Sequence, residues 1–126
     1  MILNLEFDSD KAIYIQIKEQ IIKAIAVGDL KINESLPSVR ALAEEIGINL
    51  HTVNKAYNLL KDEGYIIIDR RKGAIIRNLP LKKSENDEAL IKEEITSKSY
   101  LKGIKEEEFI NICKDYFKKY GVKNNE

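Results

Sequence analysis

The sequence has 126 residues, 33% of them charged and 44% hydrophobic, and its 21 Lys/Arg are balanced by 21 Asp/Glu; that is room for one ordinary domain, or a small one with an appendage. Apolar runs such as Ile66–Ile68 fall far short of the roughly 20 residues a membrane span needs, and Met1–Asp8 has neither the basic start nor the apolar core of a signal peptide. One cysteine and one histidine exclude an internal disulfide and a structural zinc site, so the expectation is a cytoplasmic protein with no metal, cofactor or membrane partner.

Residues 12–27 read as a helix, because Ile13, Ile17, Ile21, Ala24 and Ile25 recur at helical spacing and Gly28 stands where a C-terminal cap belongs. Asp29 to Leu36 reads as a connector. Ser38 can cap a second helix through Ile46, with Val39, Leu42, Ala43 and Ile46 on one stripe. Gly47-Ile48 is a tight turn, and Asn49 is an N-cap for a third helix. The core stripe of that helix is Val53, Ala56, Tyr57 and Leu60, and Gly64 ends it.

The period then changes. Tyr65-Ile66-Ile67-Ile68 reads as a strand, Asp69–Gly73 as a hairpin turn and Ala74–Arg77 as the return strand. Pro80 and Lys82–Asn86 form a polar hinge. Residues 86–98 and 105–120 read as two further helices, broken near Lys102-Gly103. Phe109, Ile112, Cys113, Tyr116, Phe117 and Tyr120 line one face of the last. The expected fold class is α+β and mostly helical: a winged helix-turn-helix over residues 1–80 and a two-helix dimerisation region over 81–126.

In a winged helix-turn-helix the second helix of the pair presents its N-terminal residues to base edges in the major groove. Here that helix offers Asn49, His51, Thr52, Asn54, Lys55 and Asn58 outside its core stripe. These are short donors and acceptors plus one cation, suited to bases or phosphates. The alternative for them is an ordinary solvated helix face. Ser38 and Arg40 open the preceding helix, where a guanidinium can reach a base edge or a phosphate; the alternative is a plain surface arginine. Arg70, Arg71, Lys72 and Gly73 make a thin cationic loop tip that can lie along phosphates or enter a minor groove. Its alternative is a charged turn that discourages edge pairing. Charge is distributed accordingly: residues 36–81 carry Arg40, Lys55, Lys61, Arg70, Arg71, Lys72 and Arg77 against Glu44, Glu45, Asp62, Glu63 and Asp69.

Residues 13–76 resemble the DNA-binding domain of the gluconate-repressor (GntR) family of bacterial regulators. The resemblance is carried by Ile13-Tyr14-Ile15-Gln16-Ile17, by Leu36-Pro37-Ser38-Val39-Arg40, by Thr52-Val53-Asn54-Lys55-Ala56-Tyr57, and by Leu59–Ile66 leading into the wing. It implies DNA contacts from Arg40, His51, Thr52 and Asn54, and an approach of Gly73 to the minor groove. The chain departs from the pattern at Ala12, where the family often has proline, and at Arg71, where the wing often has glycine. Leu50 fills a position usually polar or proline, leaving two readings open: contact with a thymine methyl, or packing. The 45 residues from 82 onward are too few for the large sensing domains of long-tailed members. They resemble the short-tailed YtrA subgroup, in which the tail pairs two chains.

The tail's aromatic stripe is therefore expected to meet its copy in a homodimer, the alternative being that it packs on its own winged helix. Cys113 is expected as a small buried hydrophobe. The expected partners are double-stranded DNA and a second copy, with room for a small-molecule effector that the sequence does not identify. An enzyme is excluded for want of a phosphate loop or nucleophile motif. A winged helix acting only as a protein adaptor is the rival, and it would not require the grouping of Arg40, Asn54, Lys55 and Arg70–Lys72.

Overall fold

A computed structural model describes residues 2–121; Met1 and residues 122–126, the outer ends of the two expected regions, lie outside it. Helix α1 spans Ile13–Val27, α2 Val39–Ile46 and α3 Leu50–Asp62. Strands β1, Ile66–Asp69, and β2, Gly73–Ile76, pair antiparallel with Ile66 opposite Ile76 and Asp69 opposite Gly73. The tail holds α4, Glu85–Ala89, a π-helical stretch Leu90–Ile95, α5, Thr96–Leu101, and α6, Glu106–Lys119. The class is the expected one, mostly helical with a small two-stranded sheet.

The helical stripes become the core. Ile17, Ile21 and Ile25 of α1, Leu42 and Ala43 of α2, and Val53, Ala56, Tyr57 and Leu60 of α3 are buried together with Ile66, Ala74 and Ile76 of the hairpin. Three-helix packing alone would leave the hairpin hanging; Ile66 and Ile76, a directly opposed pair, anchor it to the same core. Each turn has a local cause. Gly28 and Gly47 take left-handed conformations as C-caps, and the side chains of Ser38 and Asn49 accept backbone N–H bonds from Ala41 and His51.

Two features depart from expectation in the N-terminal half. The connector before α2 is a third strand-like segment: Ser35 bridges Ile75, Leu36 N–H donates to the Ala74 carbonyl at 2.8 Å, and Asn33 N–H to that of Ile76 at 2.9 Å. The segment ahead of α1 is held by two glutamines. The Gln20 amide exchanges both bonds with the backbone of Asn4, and buried Gln16 accepts from Glu6 N–H while donating to the carbonyls of Glu6 and Lys11. Leu3 and Leu5 are thereby laid against the core.

In the tail, the first helical run starts at Glu85 and continues to Leu101, beyond the expected end at residue 98. Ser84 caps it in a reciprocal pair with Asp87. The ion pairs Glu88–Lys92 and Glu94–Lys98 support its exposed faces. Thr96, Ser97 and Ser99 donate hydroxyls to the carbonyls four residues back, through the stretch where the helix widens. Gly103, with φ of 80°, turns the chain into α6.

No residue of α4 to α6 is buried. Ile112, Tyr116, Phe117 and Tyr120 are exposed, and Phe109 is half-buried beside Ile104 and Tyr100 in the elbow between α5 and α6. Cys113, expected as a buried hydrophobe, is exposed on this single chain, because nothing of its own fold covers that face. At the far end of the tail, Gly121 N–H donates to the Ala26 carbonyl of α1 at 2.7 Å.

Candidate nucleic-acid interface

The core stripe of α3 fixes what its opposite face presents. With Val53, Ala56, Tyr57 and Leu60 turned inward, His51, Asn54, Lys55 and Asn58 are exposed and Thr52 is half-buried. The helix opens at Asn49, and Asn49, Leu50 and His51 at its start are exposed. Arg40 is exposed on the first turn of α2, and Arg70, Arg71, Lys72 and Gly73 are exposed at the tip of the wing. Among the described residues, none of the ion pairs engages Arg40, Lys55, Arg70, Arg71 or Lys72. These cations keep their charge for a partner.

Several expected contact residues also have structural work. Ser38 and Asn49 spend their side-chain oxygens as caps, which leaves the amide nitrogen of Asn49 and the hydroxyl proton of Ser38 to donate outward. The Lys55 ammonium sits 4.0 Å from the centroid of the Tyr14 ring, a cation–π contact that draws it toward α1. Lys18 and Glu63 pair at 3.1 Å across the other end of α3. Helix α3 is thus braced against α1 near its middle and at its C-terminal end.

Tyr57 supplies a brace that its place in the core stripe did not reveal. Its ring is buried and its hydroxyl donates to the Pro37 carbonyl at 2.7 Å. That bond ties α3 to the turn from which Ser38 and Arg40 project. Burial raises the Tyr57 pKa well above the usual tyrosine value, so the donor stays protonated.

The wing closes without the family's first glycine. The Asp69 carboxylate accepts from Arg71 N–H at 2.7 Å and Lys72 N–H at 2.9 Å, and Gly73 alone in the loop takes a positive φ, 77°. Arg71 is not forced into a left-handed conformation, so a side chain costs nothing there. The two backbone bonds, from Lys72 and then Arg71, hold the Asp69 carboxyl below its ordinary pKa. An aspartate just before a turn is the usual signal for such a contact, and it marks Asp69 as the residue that shapes the tip. Among the described residues there is no cluster of His, Cys, Asp and Glu able to hold a metal, and no helix long and apolar enough to cross a membrane.

A helix-turn-helix with a free recognition helix, an arginine at the preceding helix start and a cationic wing defines a winged-helix regulator of the DNA-binding class. Residues 13–76 match the bacterial regulatory proteins of the gntR family, and the chain belongs to that family. It is 39% identical over 88 residues to the transcriptional repressor YtrA of Bacillus subtilis, covering 69% of this chain and 68% of that one. Among solved structures, a transcriptional antiterminator from Listeria monocytogenes EGD-e shares 31% identity at a TM-score of 0.77, over 92% of this chain and 90% of the other. YtrA from Sulfolobus acidocaldarius, a GntR-family transcription factor, shares 34% identity at a TM-score of 0.59, over 90% and 94%. The chain is accordingly a YtrA-like GntR regulator, and neither it nor these relatives belongs to an enzyme class. The match covers a smaller share of other relatives: 16% of the rhizopine catabolism regulator MocR of Rhizobium meliloti, at 33% identity over 62% of this chain. It covers 59% of YhcF of Bacillus subtilis, at 32% identity over 56% of this chain.

Proposed function

We propose that the chain is a cytoplasmic transcriptional repressor that binds an inverted-repeat operator as a homodimer. Residues 1–80 read the DNA and residues 81–126 join two copies. The observation that carries the reading is the exposure of three elements whose cations make no ion pair among the described residues: the open face of α3, Arg40 and the Arg70–Lys72 tip. In this reading Arg40, His51, Thr52, Asn54 and Asn58 face bases. Ser38, Asn49, Lys55 and the wing residues Arg70, Arg71, Lys72 and Gly73 position the chain on phosphates and the minor groove.

The dimer is supported by what the tail leaves uncovered. Leu90, Ile91 and Ile95 on the first tail run, and Ile110, Ile112, Tyr116 and Phe117 on α6, are each at least two-fifths exposed. A contiguous patch of such side chains exceeds what a monomer surface usually shows, and a two-fold partner buries both copies at once. Cys113, on the same helix, then regains the burial its position calls for. The repressor assignment follows that of the Bacillus subtilis relative YtrA, a transcriptional repressor. A small-molecule effector that releases the DNA is compatible with this reading.

The test is a selection from a random-sequence duplex pool, followed by sedimentation of the selected complex. The expected product is an inverted repeat with half-sites about 10 base pairs apart, centre to centre, or a modest variation on that, carrying two chains. A chain ending at Leu81 is expected to be monomeric and to bind the same duplex far more weakly, since the effective concentration of the second half-site is lost. A dimeric truncated chain with intact affinity would refute tail-mediated assembly. Failure to enrich any duplex would refute the DNA-binding reading.

A further inference from the structure

The first turn of α3 carries one large apolar side chain that the core does not bury. Leu50 is 38% exposed and is not among the buried residues of the core. The apolar contact that usually steadies a helix start joins the residue before the cap to the fourth helical position. Here those residues are Ile48, which packs against the core, and Val53, which is fully buried. The structural role at this helix start is therefore filled, and Leu50 is not needed for it. Its neighbours Asn49 and His51 are exposed and polar.

A single exposed leucine is ordinary on a protein surface. Its location makes this one specific. The N-terminal turn of the recognition helix is the part that enters the major groove, and the apolar group presented there by A·T pairs is the C5-methyl of thymine. An isobutyl group at that point gains nothing from phosphates and cannot hydrogen-bond a base edge. It can exclude water from a methyl group. We propose that Leu50 is a specificity-determining residue that reads the C5-methyl of a thymine in each half-site, an inference that rests on the DNA-binding role argued above. It follows that the operator carries a thymine there, and that the position discriminates thymine from uracil as well as from the other bases.

The probe is a duplex selected from the random-sequence pool by the full chain. Each thymine is then replaced singly by deoxyuridine, which pairs identically but lacks the methyl. The wild-type chain is expected to lose roughly four-fold in affinity at one position per half-site, the equivalent of about 0.8 kcal/mol for one buried methyl-sized group. Leu50→Ser should show no loss at that position, and Leu50→Met, which keeps an apolar reach, should retain it. Because Leu50 lies off the core, both variants are expected to match the wild type in circular dichroism and melting. If no thymine shows a methyl effect, or if the effect persists undiminished in Leu50→Ser, the inference is overturned while DNA binding stands. If the full chain selects no duplex, the failure belongs to the function proposed above.

Discussion

Tyr57→Phe isolates one bond and predicts two consequences. The substitution keeps the buried ring and deletes the hydroxyl that donates to the Pro37 carbonyl at 2.7 Å. The net value of such a bond is about 1 kcal/mol. Pro37 is only half-buried, so water can partly replace the lost donor and the cost stays near that figure. In a domain of this size about 1 kcal/mol lowers the melting temperature by roughly 4–8 °C. The second consequence concerns pH. Burial raises the folded-state pKa of Tyr57 above its unfolded value of about 10, so the folded chain holds a proton that the unfolded chain gives up. That contribution is fully present below pH 10 and is lost as pH rises beyond it. Urea unfolding of both chains at pH 7 and above pH 10 is the assay. The wild type should fall faster with alkali, and the difference between the chains should shrink or reverse. Equal stability at pH 7, together with identical alkaline slopes, would refute the tie between α3 and the turn before α2.

The core, the wing and the start of α2 each set a further outcome. Leu60→Ala, at a fully buried position, should cost about 2–5 kcal/mol in urea unfolding; a loss under 1 kcal/mol would mean that the core is not centred on α3. Asp69→Ala should weaken duplex binding several-fold and lower the melting temperature slightly, because it frees the Arg71 and Lys72 N–H groups of the wing. The Asp69 carboxyl is held below its usual pKa, so the wild type should keep this advantage at pH values above the ordinary carboxylate range and lose it only as pH falls through the lowered value. Arg40→Ala should cost about 1–3 kcal/mol on the selected duplex if the guanidinium is bidentate to a base. Equal losses on selected and random duplex would make it a phosphate contact.

Burial periodicity was the most legible layer of this fold. Val53, Ala56, Tyr57 and Leu60 recur at helical spacing, and all four are buried, because one face of a short helix has only the core to meet. The β-branched run before Asp69 and the Gly73 turn likewise foretold the hairpin. What escaped was carried by groups without a periodic mark. Ser35 bridges Ile75 through backbone atoms alone, so the connector left no side-chain pattern. Gln16 and Gln20 hold the preceding segment through amide bonds to main chain, and a glutamine on a helix ordinarily announces only solvent. Lys55 was legible as a cation, while its contact with Tyr14 joins two helices and needs the tertiary fold. The tail stripe was readable as apolar; that its own chain leaves it exposed was not.

The central claim is that α3, Arg40 and the wing form one phosphate-bound reading surface. The salt dependence of duplex affinity tests it most directly, measured by fluorescence anisotropy for the wild type and for a chain with Arg70, Arg71 and Lys72 all changed to alanine. Log affinity should fall steeply and linearly with log salt, and the triple variant should have a slope shallower by about 0.9 for each phosphate contact removed. An affinity indifferent to salt, or a slope unchanged in the triple variant, would contradict that claim.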